Sequence, residues 1–247
     1  MDETTVRFLG TGDPLGTGGR LQTSIHVDTG STRLLVDCGA SALSEMNRYD
    51  LDRNEVGTIL LTHLHGDHFA GIPFFVLDAQ FASDRTEPLT IVGPPGTESR
   101  VTEAMEVFFP GLSEVDQAFD IEFVEIEPGA TTSVGPIDVR PYLADHPSGD
   151  PSYALRVEVD GSTVTYSGDT AWVDDLVDAA AGADLFVCEA YAFDADIPYH
   201  MTYTTFLEHE PEIDADRTIL THMSTTMFDR LDEVDHECAT DGMVVEI

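Results

Sequence analysis

The sequence predicts an α/β protein in which strands and helices alternate along one continuous domain. Three observations carry that expectation. Strand-like and helix-like segments follow one another with no linker, repeat or low-complexity stretch between them. The run "TILLT" (58–62) is apolar and β-branched throughout, the pattern of a strand covered on both faces. Hydrophobic residues make up 42% of 247 residues, enough for a large core and too many for a disordered chain.

The elements are expected in this order. Strands cover 4–10, 23–28 and 32–37, separated by Gly and Asp turns. The buried strand 58–62 follows. Asp67 stands where it would cap a helix running over 68–83. A strand at 88–93 leads through Pro-Pro-Gly into a helix over 96–109. Two strands lie within 121–129 and 135–146. The segment 152–169 reads as a hairpin turning at Asp160 and Gly161. A helix over 171–183 ends at Gly182. A strand at 184–190, a helix at 202–210, a strand at 217–224 and a last strand at 242–247 complete the chain.

Charge narrows the setting. Asp and Glu number 47 against 11 basic residues, a net charge of -36, and every basic residue is arginine. Such a chain repels itself at low ionic strength. Concentrated salt shortens the Debye length to ~3 Å at 1 M, so a halophilic cytoplasm is the expected environment. The same charge disfavours RNA as a partner, because binding a polyanion rests on Lys and Arg contacts to phosphate. No basic and apolar leader opens the sequence and no apolar run approaches ~20 residues, so neither secretion nor a membrane is expected. Cys38, Cys188 and Cys238 are too few and too far apart for a disulfide framework. Cys38 and Cys188 are expected as core thiols, and Cys238 on a last helix.

The chemistry concentrates in "HLHGDH" at 63–68, where the chain leaves a buried strand. His63, His65, Asp67 and His68 combine imidazole and carboxylate, a donor set suited to zinc, with manganese or iron next. Ligands collect at the carboxyl ends of strands in open α/β sheets. Taken singly, His146, Asp169 and His222 are unremarkable: a surface histidine, a turn aspartate, a core histidine. Their weight comes from the set. The Gly-rich stretch 9–20 lacks the lysine of a phosphate-binding loop and the GxGxxG spacing, so no nucleotide cofactor is expected and the glycines are assigned to turns near the cluster. His26, His209 and His236 are read as structural or exposed.

The cluster resembles the HxHxDH signature of the metallo-β-lactamase fold superfamily. "FLGTG", "LLVDCG", "LTHLHGDHFAGIP", "IVGPPGT", "TYSGDTAW" and "ILTHMS" follow in the order of its ribonuclease Z-like branch. The resemblance implies a four-layer αβ/βα sandwich, two mixed sheets with helices on the outer faces, as a single hydrolase domain over 1–247. It implies two metal ions. His63, His65 and His146 would hold one, Asp67, His68 and His222 the other, and Asp169 would bridge them. Two dications ~3.5–4 Å apart acidify a shared water into a nucleophile. Asp67 would ligate, or orient that water. Glu189 and His200 match a second feature of the branch: the carboxylate would hold His200 protonated, and His200 would donate to the leaving oxygen or grip the phosphate. Asp37, after an apolar strand, would bond a ligand histidine from behind. A homodimer is compatible with the resemblance.

The sequence departs from ribonuclease Z in one respect. That enzyme clamps tRNA with a protruding basic arm, and the stretch 96–129 here is short and acidic. A small phosphodiester is therefore the preferred substrate. A ribonuclease Z-type tRNA 3′-processing endoribonuclease is the alternative, followed by a thioester or lactam hydrolase of the same fold. A non-catalytic metal-binding protein ranks last, because Glu189 and His200 are present although neither is a ligand.

Overall fold

A computed structural model describes residues 3–149 and 151–247. Met1, Asp2 and Asp150 of the expected 1–247 domain lie outside the described residues. In chain order the elements are β1 (Thr5–Gly10), β2 (Ser24–Asp28), β3 (Arg33–Val36), α1 (Ala42–Arg48), β4 (Val56–Leu60), α2 (Gly66–Phe69), α3 (Ile72–Phe81) and β5 (Leu89–Gly93). Then come α4 (Thr97–Phe108), β6 (Ile121–Glu125), β7 (Thr132–Val134), β8 (Ile137–Leu143), β9 (Tyr153–Val159), β10 (Ser162–Tyr166) and α5 (Asp175–Ala180). The chain closes with β11 (Leu185–Glu189), α6 (Tyr203–His209), β12 (Thr218–Thr221), α7 (Thr225–Phe228) and β13 (Val244–Glu246).

The strands make two mixed sheets, ordered β13-β1-β2-β3-β4-β5-β6 and β12-β11-β10-β9-β8-β7. Strands β3 to β6 run parallel to one another, as do β10 to β12. Alternation along each strand fixes the layers. Phe8, Val27, Leu60 and Val92 of the first sheet meet Leu155, Val164, Val187 and Ile219 of the second in one core. On the outer face of the first sheet, Leu35, Ile59 and Ile91 pack under α1, α3 and α4, joined by Met46, Phe75 and Val101. On the outer face of the second, Phe186, Cys188 and Leu220 pack under α5, α6 and α7. This is the expected four-layer sandwich. Leu60 faces one core and its neighbours Ile59 and Leu61 face the other, which is why "TILLT" shows no polar alternation.

Four local expectations change. The helix over 68–83 is two helices. Gly71 N–H donates to the Cys38 carbonyl (2.8 Å) rather than back along a helix, and α3 restarts with Pro73 in its first turn. Asp67 is not a cap: His65 occupies that position, and Asp67 lies inside the first turn with its carboxylate beside His68. Cys238 is not helical. Leu220 N–H donates to the Glu237 carbonyl and Ala239 N–H to the Leu220 carbonyl, both 2.8 Å, which ties the segment to β12 as extended chain. Helix α5 starts later than 171, because Ala171 bridges to Asp145. The hairpin is as expected, with Asp160 (φ 50°) and Gly161 (φ 94°) forming a two-residue turn between Val159 and Ser162.

Burial separates the thiols from any chemistry. Cys38 and Cys188 are fully buried, and burial pushes the Cys38 thiol up to about 12. No helix among the described residues is long and apolar enough to cross a membrane.

His26 lies on β2, its neighbours Ile25 and Val27 facing the inter-sheet core. It is 3% exposed, and burial lowers its pKa to about 4, against a partial opposing pull from Asp28. The unfolded chain, with an imidazole near the usual value of about 6.5, takes up the proton first. The stability that neutral His26 provides is intact above about pH 6.5 and is lost as pH falls toward 4. Denaturant titrations at fixed salt should therefore show His26→Gln losing about 3 kcal/mol less than the parent between about pH 7 and pH 4.

Candidate metal centre

Six strand ends converge on the site. Asp37 follows β3, the segment 63–68 follows β4, His146 follows β8, Asp169 follows β10, Glu189 ends β11 and His222 follows β12. The seven expected ligands come together in two sets, each with its donor atoms within 4.8 Å of one another: His63, His65 and His146, and Asp67, His68, Asp169 and His222. In the first set, His65 Nδ1 lies 3.2 Å from His63 Nε2 and 3.1 Å from His146 Nε2. In the second, His68 Nε2 lies 3.3 Å from both Asp67 Oδ2 and Asp169 Oδ1. Asp169 Oδ2 lies 3.2 Å from His222 Nε2, 3.9 Å from His63 Nε2 and 4.0 Å from His146 Nε2. One carboxylate thus touches both sets.

Four of the five imidazoles are aimed from behind. Asp37 Oδ2 accepts from His68 Nδ1–H at 2.6 Å. The same carboxylate accepts from Thr62 N–H (2.9 Å) and from the Thr62 hydroxyl. With its proton spent on Asp37, the Thr62 oxygen accepts from His63 Nδ1–H at 3.0 Å. Thr23 Oγ1 meets His222 Nδ1 at 3.2 Å, and the Tyr199 carbonyl accepts from His146 Nδ1–H at 3.1 Å. These bonds turn Nε2 of His63, His68, His146 and His222 to the centre, where a metal ion would take the place of any proton on it.

The two sets differ in their electrostatics, because the carboxylates lie in the second. Burial, reinforced by the neighbouring imidazoles, holds His63 well below its usual value, and burial also lowers His65 and His146. These three are neutral ligands at pH 7. Burial opposes ionisation of Asp169, yet His222 and His68 hold it well below the carboxylate range. Burial likewise opposes charge on His68, which Asp169, Asp67 and Asp37 hold well above its usual value. In the second set, Asp67 Oδ2, His68 Nε2, Asp169 Oδ1 and His222 Nε2 are buried without a hydrogen-bond partner among the described residues. Buried polar atoms are rarely left so. Four of them from both sheets, aimed at one point, fit a divalent metal ion.

The backbone is shaped to this end. His222 sits at φ 61° and Tyr199 at φ 68°, left-handed conformations that cost a side chain of this size on the order of 1 kcal/mol. Asp37 is also left-handed (φ 58°), a region aspartate tolerates. Gly71 and Gly39 let the two loops touch. A Cβ on Gly71 would fall 2.3 Å from the Gly39 carbonyl, and one on Gly39 would fall 2.5 Å from the Asp67 carbonyl.

Beside the ligands, Glu189 Oε1 accepts from His200 Nδ1–H at 2.5 Å. Its other oxygen accepts from Thr170 N–H (2.9 Å) and Met201 N–H (3.0 Å). The His200 ring stacks on Tyr191 (4.3 Å) and stands 4.9 Å from the His146 ring. Burial lowers His200 and raises Glu189, Asp169 adding to the latter. Burial therefore opposes the protonated His200 that the carboxylate was expected to secure. The hydrogen bond itself is in place.

Residues 32–223 match the family described as "Beta-lactamase superfamily domain". A ribonuclease Z from Mycobacterium bovis is 32% identical over 192 residues, 74% of this chain and 68% of that protein. The chain belongs to the metallo-β-lactamase superfamily, in its ribonuclease Z-like branch. Among solved structures, the metallo-β-lactamase fold protein YhfI from Bacillus subtilis has a TM-score of 0.81 at 21% identity, covering 100% of both chains. The short form of human tRNase Z has a TM-score of 0.79 at 25% identity, covering 98% of both chains.

The residues that aim the ligands in this metallo-β-lactamase-fold site were the harder part to anticipate. Thr62 sits next to His63 in "LTHLH" and was open to inference. Thr23 and the Tyr199 carbonyl arrive from 199 and 53 residues away from their histidines, and neither has a local signal. His209 and His236 lie outside the centre: His209 stacks on Trp172 (4.0 Å) and His236 bonds Tyr203 and Glu210.

Asp37→Asn keeps the left-handed backbone while removing the charge behind His68. It should weaken metal binding about 10–100-fold in competition with a chromogenic chelator, as loss of such supporting bonds does elsewhere.

Proposed function

We propose that residues 1–247 form one hydrolase domain that cleaves phosphoric diesters at this centre with two divalent cations, zinc ahead of manganese or iron. The protein is a metal-dependent hydrolase of the metallo-β-lactamase fold. One observation carries the finer reading: Asp169 of the second set lies 3.9 Å from His63 and 4.0 Å from His146 of the first, and His200, on a buried carboxylate, groups with His146 and Asp169 between them. When bound, a pair of cations supplies charge neutralisation at phosphoryl oxygens and a water acidified toward neutral pH. The chain's own groups do the rest. Asp169 fixes the spacing of the two sets. Asp67, next to Asp169, is placed to orient a water proton. His200, with Nδ1–H on Glu189, would take up a proton at Nε2 when an anionic phosphoryl group enters, and then donate it to a phosphoryl or leaving oxygen. Glu189 is held by two backbone N–H groups, which sets the angle of that imidazole.

The preparation should hydrolyse bis-p-nitrophenyl phosphate with zinc or manganese in molar salt, and lose activity on chelation. His65→Ala should abolish turnover, and His200→Ala should lower kcat by roughly 10²–10⁴. Full activity in His65→Ala would refute the reading.

The relatives favour a second reading, a ribonuclease acting on precursor tRNA. Against it stand the net charge of -36 and the stretch 96–129, where α4 packs on the first sheet and β6 is that sheet's edge strand. Cleavage of a precursor tRNA across a salt series separates the two.

We also propose concentrated salt as the working medium. Asp13, Asp37, Glu45, Asp169 and Glu189 are the acids buried among the described residues, so most of the negative charge faces solvent, where salt screens it. The thermal midpoint should rise from about 0.1 M to about 2 M potassium chloride. A midpoint that falls would overturn this.

A further inference from the structure

One face of α4 leads away from the metal centre. Arg100, Glu103, Ala104, Val107 and Phe108 recur at the spacing of a single helical stripe, and they line a groove of about 310 Å³ with His65 and Phe69. The adjacent stripe, Val101 and Met105, is buried against the sheet. The groove wall is apolar and open to solvent: Val107 is 74% exposed and Phe108 45%. Phe74 packs behind Phe108, ring centroids 5.9 Å apart, and fixes the wall.

Arg100 stands out among the 11 arginines. The other ten are each engaged by a carboxylate, a carbonyl or an aromatic ring. Among the described residues, Arg100 is the one arginine whose guanidinium meets none of these. In a chain with 47 acids, a guanidinium without a partner beside a candidate metal ligand is a local positive site in a negative field. Glu103, one turn on, is the one opposing charge in the groove.

We propose that this groove is a substrate subsite for a nucleotide-like arm of the phosphodiester, with a ring laid against Phe69, Val107 and Phe108 and a second phosphate on that arm paired to Arg100. The inference rests on the phosphodiesterase reading and narrows it to diesters that carry a further phosphate. A guanidinium grips phosphate in a bidentate fork and an apolar wall accepts a base face, so the two features select together.

The test uses the metal-loaded full chain. Thymidine 3′-phosphate 5′-(p-nitrophenyl phosphate) is compared with p-nitrophenyl thymidine 5′-phosphate, which lacks the second phosphate. Arg100→Gln should raise KM for the first about tenfold and leave the second within about twofold. Glu103→Gln should lower KM for the first alone. Equilibrium binding of thymidine 3′,5′-bisphosphate and thymidine 5′-monophosphate to the same proteins gives a second readout, in which Arg100→Gln weakens only the bisphosphate. Diester turnover with no selective effect of Arg100→Gln overturns the subsite alone. Absence of turnover in the parent, with Arg100-dependent bisphosphate binding kept, removes the phosphodiesterase reading and leaves the subsite in place.

Discussion

The carboxylate of Asp169 is the interaction on which the rest depends. It leaves the second sheet after β10 and meets His63 and His68 from the first, together with His222 from the far end of the chain. No single segment could assemble that contact. It requires both sheets to stack with their strand ends on one rim, which the shared core of Leu60, Val92, Leu155 and Val187 enforces. Burying an ionised carboxylate is costly unless partners surround it, and here they are imidazoles from two layers. Packing and chemistry are joined at one residue.

Behind that contact the same logic repeats at longer range. Asp37 binds His68 and Thr62, and Thr62 binds His63, so one buried carboxylate orients a ligand of each set. His222 is held by Thr23 and by a backbone bond from its own N–H to the Thr11 carbonyl (3.1 Å). The left-handed backbone at His222 and Tyr199 is the cost of reaching these positions. Such conformations persist only where surrounding bonds over-determine them.

Much of this was legible in the chain. The doubly buried strand showed itself because Ile59, Leu60 and Leu61 serve two cores at once. The ligand set showed itself because imidazole and carboxylate crowd into 63–68, a pattern that no solvated loop requires. What stayed hidden has a physical cause in each case. Helix α1 is seven residues long, with Ala42, Glu45 and Met46 as its only buried positions, too short a repeat to register as a period. The break between α2 and α3 depends on the Cys38 carbonyl, distant in sequence, capturing the Gly71 N–H. Cys238 looked helical locally, and pairing with β12 overrode local preference. The protonation of His200 turns on burial, which adjacent residues do not reveal.

The near contact of Gly39 with Gly71 has a further meaning. Cys38 N–H donates to the His68 carbonyl at 2.6 Å, and Gly71 N–H returns the bond to Cys38. Two loops are clasped backbone to backbone, in addition to the side-chain bonds of Asp37. The backbone around the histidines is thus tied to the first sheet by bonds that no ion supplies. A side chain at Gly39 or Gly71 would pry these loops apart and misplace the histidines while leaving every donor atom of the cluster in the sequence.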